Sequence, residues 1–259
     1  MAHPPSAVMR RAVVLILITA AAASARSSDE PIRLEWEEGE VAGTTLIYEP
    51  GGDEPIGTVE YQQTRQGDRL KTRRVSHFRD GSSDEDVAEA RVDGMLEAIS
   101  GRTIIRDEKG EIVVRMSIDV AAQRLKAEWR DEDGERHTMD EEADLPKSTY
   151  WGPLVHIVLK NFDANEERGR VVFHTVAPTP QPRAIDMEFR RGGVEKVERP
   201  GMTFEARRFA LSPTIHWIVD PLVRRIAPRV SFWMSATKPP MLGQFVGPRN
   251  YSGQRIRIQ

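Results

Sequence analysis

His216 and Asp220 stand four residues apart in the run His216-Trp217-Ile218-Val219-Asp220-Pro221. On a helix they would share a face, the spacing of an imidazole base and the carboxylate that orients it. No partnered nucleophile is evident, and such a pair more often holds structure than performs catalysis. His77, His137, His156 and His174 are scattered singly, so no two share one element at metal-ligand spacing. The chain carries no phosphate-binding Gly-rich loop, no G-x-S-x-G elbow and no H-E-x-x-H motif. Acidic groups cluster at Glu37-Glu38, Asp84-Glu85-Asp86, Asp131-Glu132-Asp133 and Asp140-Glu141-Glu142, with Gly or Ser nearby, which reads as solvated turns. The residues therefore point to no catalytic centre, no metal and no cofactor.

What remains is apolar. Trp151, Leu154, Val155, Val158, Leu159 and Phe162 fall at helical spacing and form one wide face. A second dense stretch runs from Phe232-Trp233-Met234 through Pro239-Pro240-Met241-Leu242 to Phe245. Polarisable and aromatic side chains of this kind line lipid pockets, and they also fill irregular cores. The candidate ligand-contacting residues are Trp151, Val155, Phe162, Trp217, Trp233, Met234, Met241 and Phe245.

Elements of two periods must position them. Short alternating segments punctuated by Gly- and Asp-containing turns predict antiparallel strands at 44–48, 56–62, 69–78, 99–105, 112–118, 125–129 and 136–139. More follow at 170–176, 184–189, 194–198, 202–211, 230–235, 243–246 and 255–258, with Arg191-Gly192-Gly193 as a hairpin turn. Asp80-Gly81-Ser82-Ser83-Asp84 reads as a loop. The period changes at Ser148, and a helix is predicted from there to Phe162, with Ser148 or Thr149 as its cap. A second, short or kinked helix is predicted over Thr214–Ala227, where Pro221 interrupts helical spacing. The expected fold is mainly β: a strongly curved antiparallel sheet or half-barrel wrapped around one central helix.

The 259 residues contain no Cys, which removes disulfides, thiolate metal sites and thiol nucleophiles together. Arg10-Arg11, the apolar run Ala12–Ala23 and Ala23-Ser24-Ala25 have the charged, apolar and small-x-small parts of a secretory signal. We expect a signal peptide at 1–25, a single β-rich domain at 26–259 and a periplasmic or secreted location, with no membrane span once the leader is removed. That domain carries 35 basic against 40 acidic residues, interspersed, which offers nucleic acid no electrostatic footprint. Of the 37 basic residues of the whole chain 30 are Arg and 7 Lys. With the Ala-rich leader, this is the coding bias of a GC-rich bacterial genome.

The order of parts resembles DUF3108, an exported bacterial family of unknown function related in fold to the lipoprotein carrier LolA. The resemblance lies in Gly57-Thr58-Val59-Glu60-Tyr61, the helix around Trp151–Phe162, and Phe232-Trp233-Met234 followed by Pro239-Pro240-Met241-Leu242-Gly243-Gln244-Phe245. It implies a half-barrel with an apolar groove and carries over no catalytic residue. The expected function is a non-enzymatic envelope protein that binds or carries an apolar ligand such as a lipid or acyl chain. An envelope assembly factor binding other proteins, through Pro178–Pro182 or the tail from Arg249, is the alternative; a hydrolase built on His216 and Asp220 ranks third.

Overall fold

The computed structural model describes residues 29–131, 133–177, 182–199, 201–214, 230–249 and 254–259. The expected leader, all of the Thr214–Ala227 helix beyond Thr214, with His216, Trp217 and Asp220, and most of the Pro178–Pro182 link lie outside the described residues. No described helix is long and apolar enough to cross a membrane.

Alternation dominates the chain. The strands are β1 (Ile32–Arg33), β2 (Val41–Tyr48), β3 (Pro55–Gln66), β4 (Arg69–Phe78), β5 (Ser83–Val92), β6 (Met95–Arg106), β7 (Ile112–Asp119), β8 (Arg124–Arg130) and β9 (Arg136–Glu142). Two short helices follow, α1 (Leu154–Lys160) and α2 (Phe162–Asn165). Then come β10 (Arg170–Ala177), β11 (Arg183–Arg199), β12 (Met202–Pro213), β13 (Val230–Ser235), β14 (Leu242–Pro248) and β15 (Arg255–Ile258). All belong to one open antiparallel sheet, in the order β10 to β15, then β2 to β9, with β1 attached to β6. The last strand thus returns to pair with the second, Arg257 opposite Tyr48 and Ile258 opposite Ile47. The two edges, β9 and β10, are consecutive in sequence, and the segment joining them carries both helices.

Inward positions are small or apolar on strand after strand. Ala88, Ala90 and Val92 of β5, Met116 and Ile118 of β7, and Leu125 and Ala127 of β8 are buried in one cluster with Leu154, Ile157, Val158, Leu159 and Phe162 of the helical segment. Aromatic rings continue that cluster across the other half of the sheet: Phe173 to Phe189, Phe189 to Phe232, and Phe232 to Phe245, with centroids 5.1–5.4 Å apart. The outer face is laced by cross-strand ion pairs such as Arg73–Glu85 at 2.8 Å and Arg115–Glu128 at 3.5 Å. Each is exposed enough to add at most about 1 kcal/mol.

Four expectations need correction. The Asp80–Asp84 loop ends at Ser83, where β5 begins; its acidic residues hide an alternation whose inward members are Asp86, Ala88, Ala90 and Val92. Arg191-Gly192-Gly193 is no turn but a bulge inside the single 17-residue strand β11, between Arg191 and Val194. A side chain on Gly192 would meet the Arg208 carbonyl oxygen at 3.0 Å. The helix spans seven residues rather than fifteen, is preceded by Pro153 with no side-chain cap, and breaks at Asn161 before the four-residue α2. Ser148 and Thr149 are buried beside β10, where Thr149 bridges His174, and so cannot serve as its cap.

Polar side chains fasten the N-terminal strap, residues 29–38, to this segment. The Ile32 N–H donates to the Tyr150 hydroxyl at 2.7 Å, and that hydroxyl donates to the Leu96 carbonyl at 2.7 Å. The Asn161 side-chain oxygen accepts from the Glu35 and Trp36 N–H groups at 2.8 and 3.2 Å. The Asn165 amide both accepts from and donates to the Arg33 backbone, each at 2.7 Å. Glu38 is buried rather than solvated, and takes hydrogen bonds from Lys160 at 2.9 Å and Gln63 at 3.1 Å. Tyr150→Phe leaves a buried N–H and a buried carbonyl unsatisfied, so the expected loss is about 2–3 kcal/mol in urea unfolding. A change below about 0.5 kcal/mol would show that the strap does not depend on that hydroxyl.

Candidate functional site

The pairing register sets two rows of side chains on the inner face. Arg74 of β4 lies opposite Asp86 of β5, which lies opposite Thr103 of β6. One step along, Ser76, Asp84 and Ile105 form the next row. Strand geometry therefore brings an arginine, two aspartates and two hydroxyls to one patch of inner face, where water access is poor.

Within the first row the groups satisfy one another. Arg74 Nη2 donates to Asp86 Oδ2 at 2.5 Å, and the Thr103 hydroxyl donates to Asp86 Oδ1. Trp151 Nε1 donates in turn to Thr103 Oγ1 at 2.9 Å. The indole reaches this position because residue 101 is Gly; a Cβ there would sit 2.8 Å from Trp151 Cγ. Gly152, at φ +49°, lies equally close to Asp86, whose Cβ would be 3.0 Å from an added Cβ.

The second row is completed from far along the sheet. Arg249, just beyond β14, is half-buried and donates to both Asp84 oxygens at 3.2 Å and to Ser82 Oγ at 2.9 Å. Its guanidinium lies 3.5 Å from the Phe78 ring centroid. Along the strand order, β14 and β5 are separated by β15, β2, β3 and β4, so the contact joins inner faces of two distant walls. Between these walls lies a cavity of about 180 Å³, lined by both rows and by Trp151, Thr175, Val176, Phe245, Ile256 and Ile258. It has a charged floor that is internally paired and an apolar wall.

Burial shifts two groups here. Asp84 is held above the usual carboxylate range, chiefly by loss of hydration and further by Asp86, against the opposing pull of Arg249. His156 of α1, edge-on to Phe232 with centroids 5.8 Å apart, is pulled from 6.5 to about 3 by loss of hydration and by the Arg74 charge. It is neutral at physiological pH.

The sequence-derived candidates do not form one groove. Trp151 and Phe245 line the cavity just described. Phe162 and Met234 line a separate cleft of about 250 Å³ with Trp36, Leu159, Phe209 and Pro240. Val155 packs half-buried on the core. Trp233 faces outward, donating to Glu195 at 2.8 Å beneath Arg208. Met241 is 65% exposed, and Trp217 lies outside the described residues. Asp84 and Asp86, read from sequence as loop carboxylates, are in fact strand residues of the cavity floor; the missed signal was the i, i+2 spacing that Asp86 shares with Ala88 and Ala90. Among the described histidines, His137 comes within 4.8 Å of Asp131 and Glu135, but its Nε2 is already hydrogen-bonded to Asp131 at 2.7 Å in the β8–β9 hairpin.

No known family and no curated protein matches the chain, so the DUF3108 resemblance gains no support from sequence. Among solved structures it is similar to a β-barrel-like protein of the domain of unknown function DUF1849 from Brucella abortus. The TM-score is 0.41 at 12% identity, over 88% of this chain and 96% of that one. That is a different family, and it too has no assigned function.

Two outcomes test the site. Asp86→Ala strands the Arg74 guanidinium, which is a quarter exposed, so about 2–3 kcal/mol should be lost, partly relieved by solvent. Arg74→Ala with Asp86→Ala should lose at least about 1 kcal/mol less than the sum of the single changes; additive losses would mean the two groups do not depend on each other. For His156 the folded pKa lies below the unfolded one, so the unfolded chain binds the proton first as acid is added. Its contribution is complete above pH 6.5 and declines as pH falls toward about 3. His156→Gln should flatten that limb of the urea-midpoint profile, and an unchanged slope would contradict the assignment.

Proposed function

We propose that this protein is a non-enzymatic binding protein of the bacterial cell envelope, exported through its first 25 residues, whose curved sheet encloses the helical segment and holds one end of a small amphiphile. The observation that carries this reading is the cavity itself: paired charges at its floor, and Trp151, Val176, Phe245, Ile256 and Ile258 along its wall. Ligand pockets combine an apolar lining with a few fixed polar groups in this way.

The volume refines the ligand. About 180 Å³ falls below the roughly 300–1,000 Å³ of sites that enclose a whole drug-sized molecule. A complete bilayer lipid is too large, so the bound portion is a polar head with the first carbons of its chain. Catalysis is not favoured, because both oxygens of Asp86 and of Asp84 are already engaged by internal donors.

Titration with octanol, read by the intrinsic tryptophan fluorescence, should show saturable binding, and Phe245→Ala should weaken uptake about tenfold, equivalent to about 1.4 kcal/mol. Native mass spectrometry of protein purified from its own host should show a co-purifying small molecule. If the probe is not taken up and no added mass is found, the proposal is overturned.

A further inference from the structure

We propose that β9 is a self-association edge, pairing antiparallel with β9 of a second copy about a two-fold axis at Met139. Among the described residues, β9 ends the strand order, with β8 on one side and no strand on the other. The opposite edge, β10, is bridged by Thr149. An open strand edge offers unpaired backbone N–H and carbonyl groups, and a two-fold pairing of identical strands satisfies them reciprocally.

The occupant is identified by the charge order of the strand, Arg136-His137-Thr138-Met139-Asp140-Glu141-Glu142. Placed antiparallel to itself about Met139, it sets Arg136 opposite Glu142 twice, His137 opposite Glu141 twice, and Met139 opposite Met139. Opposed residues keep the same parity, so each pair lies on one face of the joined sheet, as a perpendicular two-fold requires. Within one copy the charges along this edge are unevenly served. Arg136 faces Arg130 across the β8–β9 ladder, and Arg130 is already bonded to Glu111 at 2.8 Å. A second copy's Glu142 supplies the missing counter-charge. Asp140 adds little repulsion, because Arg124 and Lys126 hold it at 2.5 and 3.4 Å. Met139 already packs on the margin of the core, and its pairing would cover that margin.

The pairing does not depend on the ligand reading above. Seven residues a side make a contact smaller than the roughly 1,200 Å² of typical stable interfaces, so the dimer is sought at high protein concentration. Sedimentation equilibrium of the full-length mature protein, up to about 200 µM, should therefore show a reversible monomer–dimer equilibrium. Arg136→Glu and Glu142→Arg should each abolish the dimer, since each sets like charges face to face at both ends. Mixing the two variants should restore it, because every facing pair is then opposite in sign. Circular dichroism of each variant checks that the fold is kept. A wild type that stays monomeric would overturn the proposal. So would single variants that still dimerise, or a mixture of folded variants that stays monomeric.

Discussion

The hydrogen-bonded ion pair between Arg74 and Asp86 governs the inner face of the sheet. A side chain that points inward here is only partly hydrated, and a charge left there without a partner costs about 2–3 kcal/mol. Register answers the demand directly: Arg74, Asp86 and Thr103 are cross-strand neighbours, so the chain needs no loop to bring them together. Trp151 then donates to Thr103 and lays its ring against Gly101, which fixes where the connection between the two sheet edges enters the interior. From that entry point α1 follows. The polar row is thus both the floor of the cavity and the reference against which the helical segment is placed.

The chain is tied together at three levels. The backbone returns on itself where β15 pairs with β2. Side chains span the interior where Arg249 meets Asp84 and Ser82. The strap is tied by Tyr150, Asn161 and Asn165, whose side chains take up N–H and carbonyl groups that would otherwise be buried without partners. The asparagines do double duty, since Asn161 Nδ2 also donates to the Ile157 carbonyl and Asn165 Nδ2 to the Asn161 carbonyl. The broken helix is therefore explained: its last turn is satisfied by amides that must also reach the strap, and a continuous helix would carry them away from it.

Much of the sheet was legible in the sequence because strands with one apolar face announce themselves. The segments 69–78, 230–235 and 255–258 were read with the bounds they have. β5 was not, because its inward face is Asp, Ala, Ala and Val, and three carboxylates in four residues look like a turn when hydropathy alone is weighed. The same local view misjudged Gly192-Gly193, where a close approach to β12, rather than a reversal of the chain, requires the small residue. The helix face was identified correctly at Leu154, Val158, Leu159 and Phe162, all buried. Its start was not, since Ser148 and Thr149 are claimed by a partner 25 residues away that no local pattern reveals. The cavity depends on Arg249 meeting Asp84, a separation of 165 residues, and so lay beyond any periodicity argument.

The charge balance of the cavity floor narrows what it can recognise. Two arginines face two aspartates, and each aspartate oxygen already accepts a hydrogen bond. An anionic head entering there must displace an aspartate from its arginine, and a cationic one must do the reverse; either exchange strands a charge in a poorly hydrated place. A dipolar or hydroxyl-bearing head meets no such barrier, because it can donate and accept without uncoupling either pair. The raised affinity of Asp84 for its proton adds one route around this rule. In its neutral form it releases Arg249 from its counter-ion, and the floor then acquires a net positive charge suited to a carboxylate or phosphate.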